Sequence, residues 1–390
     1  MPIRNRLAEL HPEITAWRHD LHENPELMYD LPRTSGVVAA KLKEFGCDEV
    51  VPGIGVSGVV GVIRGRKTGS GKVIGFRADM DALPITEATG LDFSSKTPGK
   101  MHACGHDGHT AILLGAAKYL AETRNFDGTV VLAFQPAEEG GAGGKAMVDD
   151  GLMDRWNVQE IYGLHNMPGE PVGKFAIREG ALLASADEFE IKVTGRGGHA
   201  AMPHAAIDTT LVASHIVIGL QSIVARNIDP LGSVVVTVGS FHTDSVVSNV
   251  IAHEVTLKGT VRTLAPDLRK LAHERIMALV PMTAQAYGAT AEVDFRWGYP
   301  VTMNHPDQTK FAADCAAEVV GEANVDRDTK PVMPAEDFAF MLEARPGAYI
   351  FLGNGDTPMC HHPAYRFEDE AIPVGCSWFV TLAERRMPLE

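Results

Sequence analysis

Apolar residues recur in steps of three and four at Leu7, Leu10, Ile14, Trp17 and Leu21, the one-faced pattern of a helix. Pro12 falls inside it and is expected to kink the helix or start a second turn. Residues 73–77 read as a strand ending at Ala78-Asp79-Met80-Asp81, and residues 110–122 as an amphipathic helix. Residues 128–135 (GTVVLAFQ) form a short apolar run rich in β-branched side chains, hence a buried strand, ending at Pro136-Ala137-Glu138-Glu139. A short helix is expected over 144–150 and a strand over 160–164, ending at His165-Asn166. This alternation predicts an α/β domain with a mostly parallel sheet. Ligands of open α/β sheets bind beyond the carboxyl ends of the strands, and the polar clusters sit at those ends.

The pattern changes after Ser185. Residues 188–194 (EFEIKVT) alternate apolar and polar, the mark of a half-exposed strand. A helix over 208–222, strands over 233–239 and 252–262, a helix over 267–287 and a strand over 290–298 follow. The order β-α-β-β-α-β is ferredoxin-like. Beyond Pro300 the chain returns to a helix (309–320) and a strand (348–352). The expected architecture is therefore α/β, a mostly parallel-sheet catalytic domain (1–184 and 299–390) interrupted by an inserted α+β ferredoxin-like domain (185–298) that serves as lid and dimerisation element. No internal repeat is present.

Composition narrows the function. The 390 residues are 45% hydrophobic and 22% charged, ordinary globular usage that excludes a disordered chain. With 35 Lys+Arg against 50 Asp+Glu the net charge is −15, which repels phosphate backbones and anionic membranes. Neither nucleic acid nor membrane is expected as a partner. No run approaches the roughly 18 apolar residues of a membrane span, and residues 1–23 lack the apolar core and cleavage site of a secretory signal. Five scattered cysteines do not make a disulfide framework, so a reducing cytoplasm is expected.

Four pieces carry chemistry. In Met101-His102-Ala103-Cys104-Gly105-His106-Asp107-Gly108-His109, thiolate and imidazole candidates crowd before an apolar helix; these are the usual ligands of zinc and its neighbours. The plainer reading is a Gly/His-rich loop with helix-capping residues. A redox role for Cys104 is the other option, and no second cysteine lies near it in sequence. Glu138 and Glu139, side by side at a strand end, are costly unless a cation sits there. One carboxylate can ligate while its neighbour shuttles a proton, and spacing does not say which. His165 is the third piece, and Cys360-His361-His362 the fourth, with either histidine able to ligate. Together they suit one or two transition-metal ions better than Mg or Ca.

These residues resemble the M20 metallopeptidase family, and within it the M20D amidohydrolase branch of hippurate hydrolases, aminoacylases and plant auxin-conjugate hydrolases. The match runs nearly end to end, through Trp17-Arg18-His19-Asp20-Leu21-His22, Pro25-Glu26-Leu27, Arg77-Ala78-Asp79-Met80-Asp81 and residues 102–109. Gln135-Pro136-Ala137-Glu138-Glu139-Gly140, Gly163-Leu164-His165-Asn166, Gly198-His199, Asn249-Val250-Ile251 and Glu336-Asp337-Phe338 continue it in order. The C-terminal half is most similar to bacterial hippurate hydrolases. The resemblance implies two divalent transition-metal ions (Mn, Zn, Co or Ni) held by Cys104, His106, Glu139, His165 and His361, with Glu138 as general base and acid. It implies that Asn249 and Arg262 grip a substrate carboxylate, for which the planar guanidinium fork is suited. His199 would support the oxyanion, reaching in from a partner subunit.

Three positions depart from the branch pattern. Leu31 stands where an acidic residue is usual, Ala252 where a proline is, and Arg366 where an aspartate is. None is a proposed ligand. Asp79, where other branches place a histidine ligand, is expected to be structural or to lie behind the ligands. The implied substrate is a small N-acyl amino acid of the hippurate or N-acetyl type, and the implied assembly a homodimer or larger. The rival readings are a dipeptidase or carboxypeptidase-like enzyme, and a catalytically silent metal- or ligand-binding protein on the same scaffold.

Overall fold

A computed structural model of the chain describes residues 5–389. The first four residues of the expected non-secretory N-terminus, and Glu390, lie outside them. The chain divides into two compact units. The first comprises Met1–Leu182, Met303–Lys330 and Asp337–Glu390, and the second Leu183–Thr302 with Pro331–Glu336. The hexapeptide 331–336 thus returns to the second unit after the chain has re-entered the first.

The first unit is built on an eight-stranded sheet. Its centre is four parallel strands in the order Thr129–Gln135, Val73–Asp79, Glu160–Met167 and Gly347–Gly353. The antiparallel pair Glu49–Ile54 and Gly58–Arg64 extends one edge, and the short Phe175–Ala176 and Val325–Asp326 the other. The central strands read as unbroken apolar runs because helices cover them. From Val130 to Phe134 every residue is buried. Helices Asn5–Glu23, His106–Thr123 and Ile372–Arg386 pack on one another, and His106–Thr123 also lies against Val73–Asp79. Pro12 sits inside one continuous helix rather than breaking it. Helix Pro32–Glu44 and the first two strands were not legible in the pattern, because Gly53, Gly55, Gly58 and Gly61 interrupt the apolar periodicity there.

The second unit is a four-stranded antiparallel sheet in the order Val234–Thr243, Glu254–Thr263, Ala186–Thr194 and Thr290–Tyr299. In Ala186–Thr194 the buried residues Asp187, Phe189, Ile191 and Val193 alternate with Glu188, Glu190 and Lys192. Helices Thr209–Asn227 and Pro266–Ala286 pack together and onto the sheet. The first corrects an expectation: with 19 residues and a mean hydropathy of 1.3, it is long and apolar enough to cross a membrane by length and composition. Here it buries Val212, Ala213, Ile216, Leu220 and Ile223, the spacing of an amphipathic face laid on a sheet.

Candidate metal centre

All five proposed ligands and Glu138 belong to the first unit: Glu138 and Glu139 follow strand Thr129–Gln135, His165 lies near the end of Glu160–Met167, His361 is in the loop after Gly347–Gly353, and Cys104 and His106 stand at the start of helix His106–Thr123. Cys104 and His106 flank Gly105, which starts the helix in a left-handed conformation at φ +92°. A Cβ there would lie 2.3 Å from Asn166 Nδ2 and 2.5 Å from the Tyr365 hydroxyl, so only glycine fits. The helix begins at His106, a turn earlier than the apolar pattern suggests. Hydrophobic periodicity is blind to the four buried residues His106, Asp107, Gly108 and His109 in that first turn.

The ligand atoms converge. Cys104, His106 and His165 lie within 4.8 Å of one another, as do Cys104, Glu139 and His361, and His106, Glu138 and Glu139. Cys104 Sγ is 3.4 Å from His165 Nε2, and Glu139 Oε1 is 3.2 Å from His361 Nε2. Hydrogen bonds behind the ligands orient them. His106 Nδ1–H donates to the Asp81 carbonyl at 2.8 Å and His165 Nδ1–H to the Asn166 carbonyl at 2.7 Å. Each leaves Nε2 for a ligand, the tautomer a metal site needs. Asp81 accepts the backbone N–H of Glu138 at 2.9 Å and of Glu139 at 3.2 Å, so one carboxylate fixes the segment that carries both glutamates. Ala137, just before them, holds φ +52°, and His361 holds φ +69°. Non-glycine residues rarely adopt such values, and they cluster at functional sites.

These residues fit a cation. His106 Nε2 is buried with no hydrogen-bond partner. Burial opposes charge on His106, but Asp79, Asp81 and Glu139 together pull its pKa well above the usual imidazole value. A cluster that draws a proton onto a buried imidazole draws a metal ion for the same reason, and the proton leaves when the ion binds. His361 is also raised, chiefly by the Glu139 carboxylate 3.2 Å from its Nε2.

Other candidates fall outside the ligand groups. His109 shares a possible cluster with Asp79 and His106, but both its nitrogens are engaged. Nδ1 faces Asp79 Oδ1 at 2.7 Å and Nε2 accepts the Asn166 N–H at 3.0 Å. Burial holds His102 neutral, its pKa pushed down to about 3, and it joins none of the ligand groups found among the described residues. His362 is exposed, and its Nδ1 accepts the Ala364 N–H at 3.0 Å. The remaining expected residues lie in the second unit. His199 and Asn249 meet on a two-stranded ribbon, where Val250 pairs with His199 and the Asn249 carbonyl accepts the Ala200 N–H at 3.0 Å. Arg262 is half-buried on strand Glu254–Thr263.

Two buried networks that sequence reasoning missed support the centre. Arg77 donates to Asp79 at 2.8 Å, Asp337 at 3.0 Å, Gln135 at 2.8 Å and Tyr349 at 3.2 Å. Asp107, next to His106, accepts from Arg18 at 3.0 Å and from His22 at 2.9 Å, and His22 also contacts Glu87 at 3.2 Å. Burial works against charge on His22, but Asp107 and Glu87 raise its pKa from 6.5 to about 9. Because the folded value is raised, this contribution to stability is whole below pH 6.5 and is lost as pH rises through 9. The shift corresponds to about 3 kcal/mol. Urea midpoints at pH 6.5 and 9 should show that loss in the parent chain and not in His22→Phe; equal pH slopes would contradict it.

Paired imidazoles, a thiol and carboxylates gathered beyond a parallel sheet, with one glutamate spare, define a metallohydrolase. Residues 75–385 match peptidase family M20/M25/M40, and the chain belongs to that family. It is 44% identical over 383 residues to a hippurate hydrolase of Campylobacter jejuni, covering 98% of this chain and 99% of that one. An N-acetylcysteine deacetylase of Bacillus subtilis is 39% identical over 377 residues, 96% of each chain. Among solved structures, a dinuclear metal-binding M20 peptidase of Bacillus subtilis superposes with a TM-score of 0.85 at 34% identity, covering 97% of this chain and 99% of that one.

Proposed function

We propose that this protein is a metal-dependent amidohydrolase that cleaves the amide bond of N-acyl amino acids of the hippurate or N-acetyl type. The observation that carries the reading is the pair of overlapping ligand groups that share Cys104, one completed by His106 and His165 and the other by Glu139 and His361. That arrangement suits two divalent ions, with Mn, Zn, Co or Ni compatible with its mixed thiol, imidazole and carboxylate donors. When bound, the ions supply Lewis acidity, polarising the acyl carbonyl and making water nucleophilic near neutral pH. Glu138 accepts the proton of the attacking water and returns it to the leaving nitrogen. Its backbone N–H, bonded to Asp81, holds its segment fixed for that work. Arg262 and Asn249 are proposed to bind the carboxylate of the amino-acid half, and His199 to steady the oxyanion from a second copy of the chain.

A substrate panel tests this. Reconstituted with Mn, Co, Ni or Zn, the protein is expected to release amino acid from hippurate and N-acetyl amino acids faster than it cleaves dipeptides. Arg262→Ala should raise KM for these carboxylates about 10- to 100-fold, the worth of a charge-assisted hydrogen bond. No turnover of any acyl amino acid, with any of the four metals, would overturn the reading.

A further inference from the structure

Cys360 belongs to none of the ligand groups, yet the fold sets it beside Cys104, 256 positions away in sequence. Its Sγ lies 3.8 Å from the Cys104 carbonyl oxygen and 4.0 Å from Asn166 Oδ1. Asn166 donates to the same carbonyl at 2.6 Å, so one side chain tethers both residues. The backbones are pinned as well: the His361 N–H donates to the Ala103 carbonyl at 2.7 Å. Both cysteines are free, Cys104 buried and Cys360 half-buried. The partner cysteine that sequence spacing did not offer is supplied by the fold.

We propose that Cys104 and Cys360 form an oxidisable dithiol, a modification site for hydroperoxides in the metal-free protein. The Cys360 sulfur attacks the peroxide and the O–O bond breaks. Sulfur keeps one oxygen as a sulfenic acid, and the other oxygen leaves as water. The Cys104 sulfur then attacks that of Cys360. The S–S bond forms, the S–O bond breaks, and the departing oxygen takes the Cys104 proton and leaves as a second water. Two thiols are oxidised to one disulfide as one hydrogen peroxide is reduced to two waters. The disulfide removes Cys104 from both ligand groups, so the oxidised chain does not refill its centre until a thiol reductant reopens the bond. An ion on Cys104 occupies the sulfur that closes the disulfide, so the bond does not form in the loaded protein.

The test treats the full chain with hydrogen peroxide after a chelator has stripped it, then denatures and alkylates it. Two thiols should disappear, the peptides carrying Cys104 and Cys360 should be joined, and dithiothreitol should restore all five cysteines. Chain reloaded with manganese before peroxide should give no peptide joining Cys104 to Cys360. Cys104→Ser should instead give a Cys360 oxidised beyond rescue by dithiothreitol, while Cys315→Ser should cross-link as the parent does. Absence of a joined peptide, or joining of Cys104 to any other cysteine, overturns the proposal. Thiol counts and peptide masses do not depend on hydrolysis, so failure here is distinct from failure of the hydrolase reading.

Discussion

Glu138→Ala is expected to keep its metal and to lose turnover by about 10²- to 10⁴-fold, the usual worth of a positioned general acid–base. Glu138 is buried in the ligand cluster, within 4.8 Å of His106 and Glu139 donor atoms. Alanine retains the backbone N–H that binds Asp81, so the Glu139 segment stays in place. Cys104, His106, Glu139, His165 and His361 all remain. Turnover measured beside metal content separates the roles: full metal with lost turnover marks a proton carrier. Lost metal would make Glu138 a ligand, and undiminished turnover would remove it from the reaction.

Arg77→Ala is expected to destabilise the protein by about 3–5 kcal/mol, the cost of stranding a buried charge partner. Arg77 is fully buried between Asp79 and Asp337, themselves inaccessible to solvent. Burial alone would raise the Asp79 pKa, and Arg77 leads the groups that hold it well below the usual carboxylate range. Without the guanidinium, two buried carboxylates lose their cation. The damage reaches the centre, because Asp79 holds His109 and Asp337 accepts the Gly144 N–H just past the glutamates. Against a typical total of about 5–15 kcal/mol, such a loss is a large fraction. Urea unfolding of both chains checks it, and a midpoint within error of the parent would refute the charge argument. Arg77→Lys should recover only part, since one ammonium does not reproduce the forked contacts.

The parts of the fold that sequence revealed are those governed by periodicity. Val73–Asp79, Thr129–Gln135 and Glu160–Met167 were visible because a covered parallel strand is a short apolar run with polar residues at its end. The same ends carry Asp79, Glu138 and His165, so the region of the site was visible too. Long-range pairing was not. Nothing in the residues themselves chose His361 over His362, or ranked Glu138 against Glu139; the family resemblance did. Cys360 beside Cys104, Asp337 against Arg77, and Arg18 with His22 against Asp107 join residues 85 to 260 positions apart. Such contacts leave no local pattern, because each partner reads alone as an ordinary buried or surface polar residue. His109, three residues after His106 on one helix, shares a face with a ligand and serves as a brace between Asp79 and Asn166.

The central claim is that two ions sit among five side chains of the first unit. Anomalous scattering from crystals of the manganese-loaded Glu138→Ala chain tests it most directly. The account predicts two peaks, one beside Cys104, His106 and His165 and the other beside Cys104, Glu139 and His361. A single peak, or one seated on Asp79 and His109, would contradict it.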